Sequence, residues 1–133
     1  MPHLRVSEAA RYLGVSDDTV RRWMDNGTLG AAADAGGRKV VDGYEVAMVA
    51  REQADHPQVQ GGSVTSARNR LTGLVTDIRV DSVMAQVEIQ CGPFRVVSLM
   101  SSDAVRELGL ELGSVAVAVI KSTNVIVEAL GAE

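Results

Sequence analysis

Two short stretches of this sequence concentrate hydrogen-bond donors. Ser66, Ala67, Arg68 and Asn69 stand just ahead of an apolar run that begins at Leu74, and Lys121, Ser122, Thr123 and Asn124 fill the turn between two apolar runs. Arginine offers a planar fork of N–H groups, lysine a compact charge, and hydroxyls with free main-chain N–H groups complete a shell suited to a small tetrahedral anion. No acid, base or nucleophile joins them, so a site built here binds and does not transform. The sequence also has no carboxylate pair, Cys–His pair or phosphate loop, which argues against an enzyme. A third set holds cations: Arg21 and Arg22 beside Thr19, then Arg38 and Lys39. Metal chemistry has little to work with. Cys91 is the single cysteine, which excludes an internal disulfide and reads as a strand-end packing residue, and His3 and His56 share no ligand spacing.

The elements that must position these residues divide into two halves. Composition permits either one ordinary domain or two small ones: the chain has 133 residues, mixed charges and a net charge of −4. The texture changes between Gln53 and Ser63, where ADHPQVQGG has no periodicity and reads as a linker. The expected division is therefore 1–53, a linker at 54–62, and 63–133. No apolar run is long enough to span a bilayer and the N-terminus lacks the apolar core of a secretory signal, so the expectation is a cytoplasmic protein with no membrane partner.

In the first half, Ser7 is expected to cap a helix running to Leu13, with Ala9, Ala10 and Leu13 on one face and Gly14 at its end. Ser16 caps the next helix, Asp17 and Asp18 suit its first turn, and Val20, Trp23 and Met24 recur at helical spacing as core. Asn26-Gly27 closes it. Two short helices joined by Gly-Val-Ser, the second with arginines on its free face, make a helix-turn-helix pattern. In the second half Leu74, Thr76, Ile78 and Val80 alternate along one expected strand, and Val83, Ala85, Val87 and Ile89 along the next, with Asp81-Ser82 as the turn. A third strand runs from Phe94 to Met100, a capped helix from Ser102 to Leu108 stops at Gly109, and strands at Ser114–Ile120 and Val125–Ala129 complete the set. The expected fold class is α+β: a mainly helical winged helix-turn-helix followed by a five-stranded OB-like β-barrel with one short helix. Base stacking on that barrel is poorly supported, since its only aromatic residue is Phe94.

Both halves resemble known families. SEAARYLGVS, then TVRRW, then NG and L, is similar to the DNA-binding head of the MerR and excisionase families, with GGRKVV at 36–41 as the wing and GYEVAMVAREQ at 43–53 as the closing helix. The resemblance implies that Thr19, Arg21 and Arg22 approach the major groove of double-stranded DNA while Arg38 and Lys39 meet phosphate. Through Gln60 the sequence carries seven Lys or Arg against nine Asp or Glu, so one copy of the head should bind weakly and a second copy is needed. SARNRLTGLV, then RELGLELGSVAVAVIKSTNVIVEAL, resembles the molbindin (Mop) domain, classed with the TOBE domains, over Ser63–Leu130.

That second resemblance implies molybdate or tungstate as ligand and homo-oligomers, dimer-based and up to hexamers, with oxyanion at subunit interfaces. Ser66, Ala67, Arg68 and Asn69 would then face Lys121 and Ser122 of another chain. Ser101 would replace a family threonine, whereas Ala104 stands where many relatives have serine and Asp103 adds a charge beside it. Together the halves read as a molybdate-responsive transcriptional regulator. The alternatives are an intracellular molybdate store whose head no longer binds DNA, and an architectural DNA protein whose barrel only assembles it.

Overall fold

The computed structural model describes residues 2–54 and 65–130. The fold is α+β, in two compact units, Met1–His56 and Pro57–Glu133. Apart from Ala54, the expected linker lies outside the described residues.

The first unit carries three helices on a small sheet. Strand β1 (His3–Arg5) leads directly into α1 (Val6–Leu13), and α2 (Asp17–Asp25) follows a tight turn. Then β2 (Ala31–Ala33) and β3 (Lys39–Asp42) form an antiparallel hairpin, and α3 (Gly43–Gln53) closes the unit. Helix α1 starts one residue before Ser7. Its entry is held by Arg5 N–H donating to Glu8 Oε1 at 3.1 Å, so Ser7 lies inside the first turn and is not the cap. Gly14 takes the left-handed conformation that ends α1, with φ 69°. Ser16 caps α2 as expected, its hydroxyl accepting Thr19 N–H at 3.1 Å, a contact worth about 1 kcal/mol. Val20, Met24, Ala9 and Ala10 are buried with Leu29, Val41 and Val46, and Trp23 packs half-buried at the edge of that core. Strand β1 was not expected. Three residues give no periodic signal, and β1 exists because β3 pairs with it, Arg5 opposite Val40.

The second unit is a curled antiparallel sheet in the order β6-β5-β4-β7. Its strands are β4 (Asn69–Val80), β5 (Met84–Cys91), β6 (Phe94–Ser101) and β7 (Val115–Ile120), with α4 (Ser102–Leu108) between β6 and β7. Strand β4 is the spine: its first half pairs with β7 and its second half with β5. It starts at Asn69, well before Leu74. The alternation expected over 74–80 is broken by a register shift between Val75 and Asp77. A bulge inserts one residue and reverses which face each later residue takes. Val75 is therefore buried ahead of it and Ile78 packs on the core behind it, while Leu74 is half exposed. Val83 likewise lies exposed in the turn, outside β5, where Asp81 accepts the N–H groups of Val83 and Met84 at 2.8 and 2.7 Å.

Gly73 sits where the end of β5 crosses β4. A Cβ there would fall 2.3 Å from the Gln90 carbonyl oxygen and 2.8 Å from Cys91 Sγ. Only glycine allows this approach. Cys91 is buried at the strand end, as expected of a packing residue. The expected fifth strand is a correction: among the described residues no strand pairs with Val125–Ala129, and Ile126 and Val127 are 89% and 86% exposed. Among the described residues the sheet has four strands.

Candidate functional site

The two donor stretches of the second unit meet at one end of the β4–β7 ladder. Asn69 pairs directly with Ile120, so Arg68 and Lys121, the residues just outside that pair, flank the same ladder end within a single chain. Asn69 braces the junction, its side-chain N–H donating to the Ile120 carbonyl at 3.1 Å. Thr65 organises the approach. Its hydroxyl accepts Ala67 N–H at 3.1 Å, and its carbonyl accepts from the Arg68 guanidinium at 3.2 Å. On the other side, Asn124 N–H returns to the Lys121 carbonyl at 2.9 Å and makes Ser122–Asn124 a single turn of 3₁₀ helix.

Ser66, Arg68, Lys121 and Ser122 are exposed, and among the described residues neither Arg68 nor Lys121 is in an ion pair. Two cations and two hydroxyls stand at one strand end with no carboxylate paired to them. Two of the expected residues are otherwise engaged: Ala67 N–H is held by Thr65, and Ser101 caps α4, its hydroxyl accepting Ala104 N–H at 3.1 Å. Ser101 is also remote. It pairs with Met84 beyond the far end of β4, about 35 Å along the strand from Asn69 at the usual rise per residue. Asp103, the charge expected to disturb an anion, is paired with Arg106. Thr65 escaped the sequence reading, although a Thr two residues ahead of an N–H is the signature of a side-chain-closed turn.

In the first unit, Arg21 and Arg22 are exposed on α2, and Arg21 pairs with Asp18 at 3.3 Å. Thr19 is half-buried and its hydroxyl lies 2.9 Å from that of Ser16, which makes it part of the helix cap. Arg38 and Lys39 stand exposed on the β2–β3 hairpin. Its turn is shaped by Asp34, whose carboxylate accepts the N–H groups of Arg38 and Gly36, each at 2.9 Å. The Arg38 N–H, first, lowers the Asp34 pKa below its ordinary value; desolvation opposes it, and the Gly36 N–H and the Arg38 and Arg5 charges, each smaller, add to the lowering. Arg5, outside the expected set, lies in the same neighbourhood because β1 pairs with β3.

Comparison with known proteins agrees with this division. Residues 65–127 match the family model described as TOBE domain, and a "Probable molybdenum-pterin-binding protein" of Haemophilus influenzae is 49% identical over 63 residues, 47% of this chain and 91% of that protein. The chain belongs to the TOBE family. Its TOBE domain follows a head that matches the model described as helix-turn-helix domain over residues 4–54. Molybdenum-pterin-binding protein 1 of Clostridium pasteurianum is 40% identical to the TOBE part over 63 residues, 47% of this chain and 93% of its own length. Among solved structures, the cytoplasmic molybdate-binding protein ModG, with molybdate bound, is 42% identical and covers 51% of this chain and 49% of its own, at a TM-score of 0.48. No helix of the described residues is long and apolar enough to cross a membrane.

Proposed function

We propose that this protein is a cytoplasmic molybdate- or tungstate-responsive DNA-binding regulator, in which oxyanion held by the TOBE domains of associated subunits sets the arrangement of the helix-turn-helix heads. The observation that carries the reading is the Asn69–Ile120 pair, which gathers Arg68, Lys121 and the neighbouring hydroxyls at one ladder end with no acid among them. Donors of both kinds, charged and neutral, suit a dianion with four acceptor oxygens. In this reading Ser66, Arg68, Lys121 and Ser122 supply the shell, Ala67, its N–H held by Thr65, fixes the loop between Ser66 and Arg68, and Asn69 positions the two segments. Ser101 joins only across a subunit boundary, since in its own chain it stands at the opposite end of β4.

Association itself is supported by what the barrel leaves uncovered. Its inner face opens between the edge strands as a groove of about 490 Å³ lined by Val87, Ile89, Val96, Met100, Leu110 and Ala118 among others. The same chain leaves Val125–Leu130 exposed and unpaired. The corresponding segment of a second copy fills that groove and supplies the missing strand, which removes apolar surface from water on both sides. Anion bound between subunits then stabilises one arrangement over another, and the differential affinity repositions the heads.

The test is calorimetric titration with molybdate, sulfate and phosphate, with mass measured in solution. Arg68→Ala removes a charge-assisted contact of roughly 1.5 to 3 kcal/mol, so molybdate affinity is expected to fall ten-fold or more with the fold retained; unchanged affinity counts against the site. A second reading, a molybdate store with a silent head, is favoured by the excess of acidic residues through Gln60 and by curated relatives that match the TOBE part alone. Salt-sensitive binding of the full chain to duplex DNA that changes with molybdate separates the regulator from the store.

A further inference from the structure

Four cationic side chains from separate pieces of the head converge on one surface cavity. Arg5 comes from β1, Arg21 from α2, Arg38 from the hairpin turn and Lys39 from β3; with Val6, Ser7 and Asp17 they line a space of about 300 Å³. The β1–β3 register, Arg5 opposite Val40, brings Arg5 beside Lys39. Among the described residues, Arg5, Arg38 and Lys39 form no ion pair, and only Arg21 has one, with exposed Asp18. The acids nearby are Asp17 on the cavity wall, Asp18 paired with Arg21, Asp34 in the turn, with one carboxylate oxygen committed to two main-chain N–H groups, and Glu8, whose carboxylate accepts the Arg5 N–H. Val6 and Ser7 begin α1, so the first turn of that helix, with Glu8 in it, borders the same space. Cations crowded this closely repel one another unless an anion is brought to them.

We propose that this cavity seats a phosphate of the duplex DNA backbone, and that Arg5, which precedes the two helices of the helix-turn-helix, is one of its contacts. The proposal rests on the DNA-binding reading and divides the labour within it. Arg21 turns to phosphate with Arg38 and Lys39, while Arg22, exposed on α2 and absent from the cavity wall, is left for base edges. Asp17 opposes the phosphate and keeps a single head weak.

The test uses the full chain and a fluorescein-labelled mixed-sequence duplex of about 30 base pairs, titrated by anisotropy over a salt series. Arg5→Gln is expected to weaken binding several-fold and to lower the slope of log K against log salt by about 1, while Arg5→Lys keeps the slope. Asp17→Asn is expected to tighten binding. An unchanged slope for Arg5→Gln, with Arg22→Ala still weakening the complex, overturns the phosphate seat and leaves the DNA reading standing. No salt-dependent binding by the unaltered chain overturns both. If Arg5→Gln loosens the head, seen as a lower melting point, Asp17→Asn decides alone, and unchanged affinity there refutes the proposal.

Discussion

Replacing Gly73 by alanine tests whether the crossing of β4 and β5 shapes the TOBE domain. The added methyl would lie 2.3 Å from the Gln90 carbonyl oxygen and 2.8 Å from Cys91 Sγ, where ordinary contact needs 3.4 Å or more. The strands must therefore separate by about 1 Å at the point where β4 changes partner from β7 to β5. Overpacking of this kind costs about 3 kcal/mol, the upper end of its usual range, because the nearer obstacle is main chain and cannot rotate away. Alanine restricts the unfolded chain and returns only about 0.4 to 1 kcal/mol. The net loss of about 2 kcal/mol or more is a large share of the roughly 3 to 10 kcal/mol expected of a unit this size, and lowers its melting point by about 8 to 16 °C. The assay separates the units, since Trp23, the single tryptophan, packs in the head. Thermal unfolding followed by tryptophan fluorescence should be unchanged, while the far-UV circular dichroism of the β-rich unit melts early and molybdate no longer protects it at the same temperature. A midpoint for the β-rich unit within about 2 °C of the unaltered protein would falsify the close-crossing argument.

Two further outcomes follow from the hydrogen bonds. Asn69→Ala removes the donor to the Ile120 carbonyl, a bond worth about 1 kcal/mol, and is expected to weaken molybdate several-fold by calorimetry although Asn69 braces the loop without touching the anion; Arg68→Ala should do more, and the reverse order would contradict the assigned roles. Asp81 has its pKa lowered from 3.8, first by the Met84 N–H and then by the Val83 N–H, with a small opposing effect of desolvation. A carboxyl whose pKa is depressed in the folded state contributes stability above its unfolded value that is lost as pH falls through the folded one. The β-rich unit should therefore melt progressively lower as pH drops from 5 towards 3, and Asp81→Asn should flatten that fall; identical pH dependence of the two proteins would sink the assignment.

Local chemistry accounts for most of what is legible in the sequence. Ser16 with its first-turn aspartates, Gly14 and Gly109 as left-handed helix ends, and the Asp81 turn act through neighbours a few residues away, so residue type and spacing suffice to find them. The signatures of the helix-turn-helix head and of the TOBE domain were legible for the same reason. Legibility stopped where distant segments meet. The bulge after Val75 split the expected face, leaving Leu74 out and Ile78 in, because one inserted residue changes parity without any mark in composition. Strand β1 owes its existence to β3.

By itself, then, the sequence determined the helix-turn-helix, its caps and turns, and the family signatures at 66–69 and 121–122. The tertiary structure decided which of those residues stand together. Pairing of Asn69 with Ile120 joins the two donor segments in one chain, the length of β4 sends Ser101 to the opposite end, and Val125–Leu130 stays outside the sheet, with no partner strand among the described residues. It also gathered Arg5 with Arg21, Arg38 and Lys39. Caps and turns are written in the residues beside them, but strand pairing couples positions far apart in the chain, and its register depends on bulges and partners that no local pattern encodes.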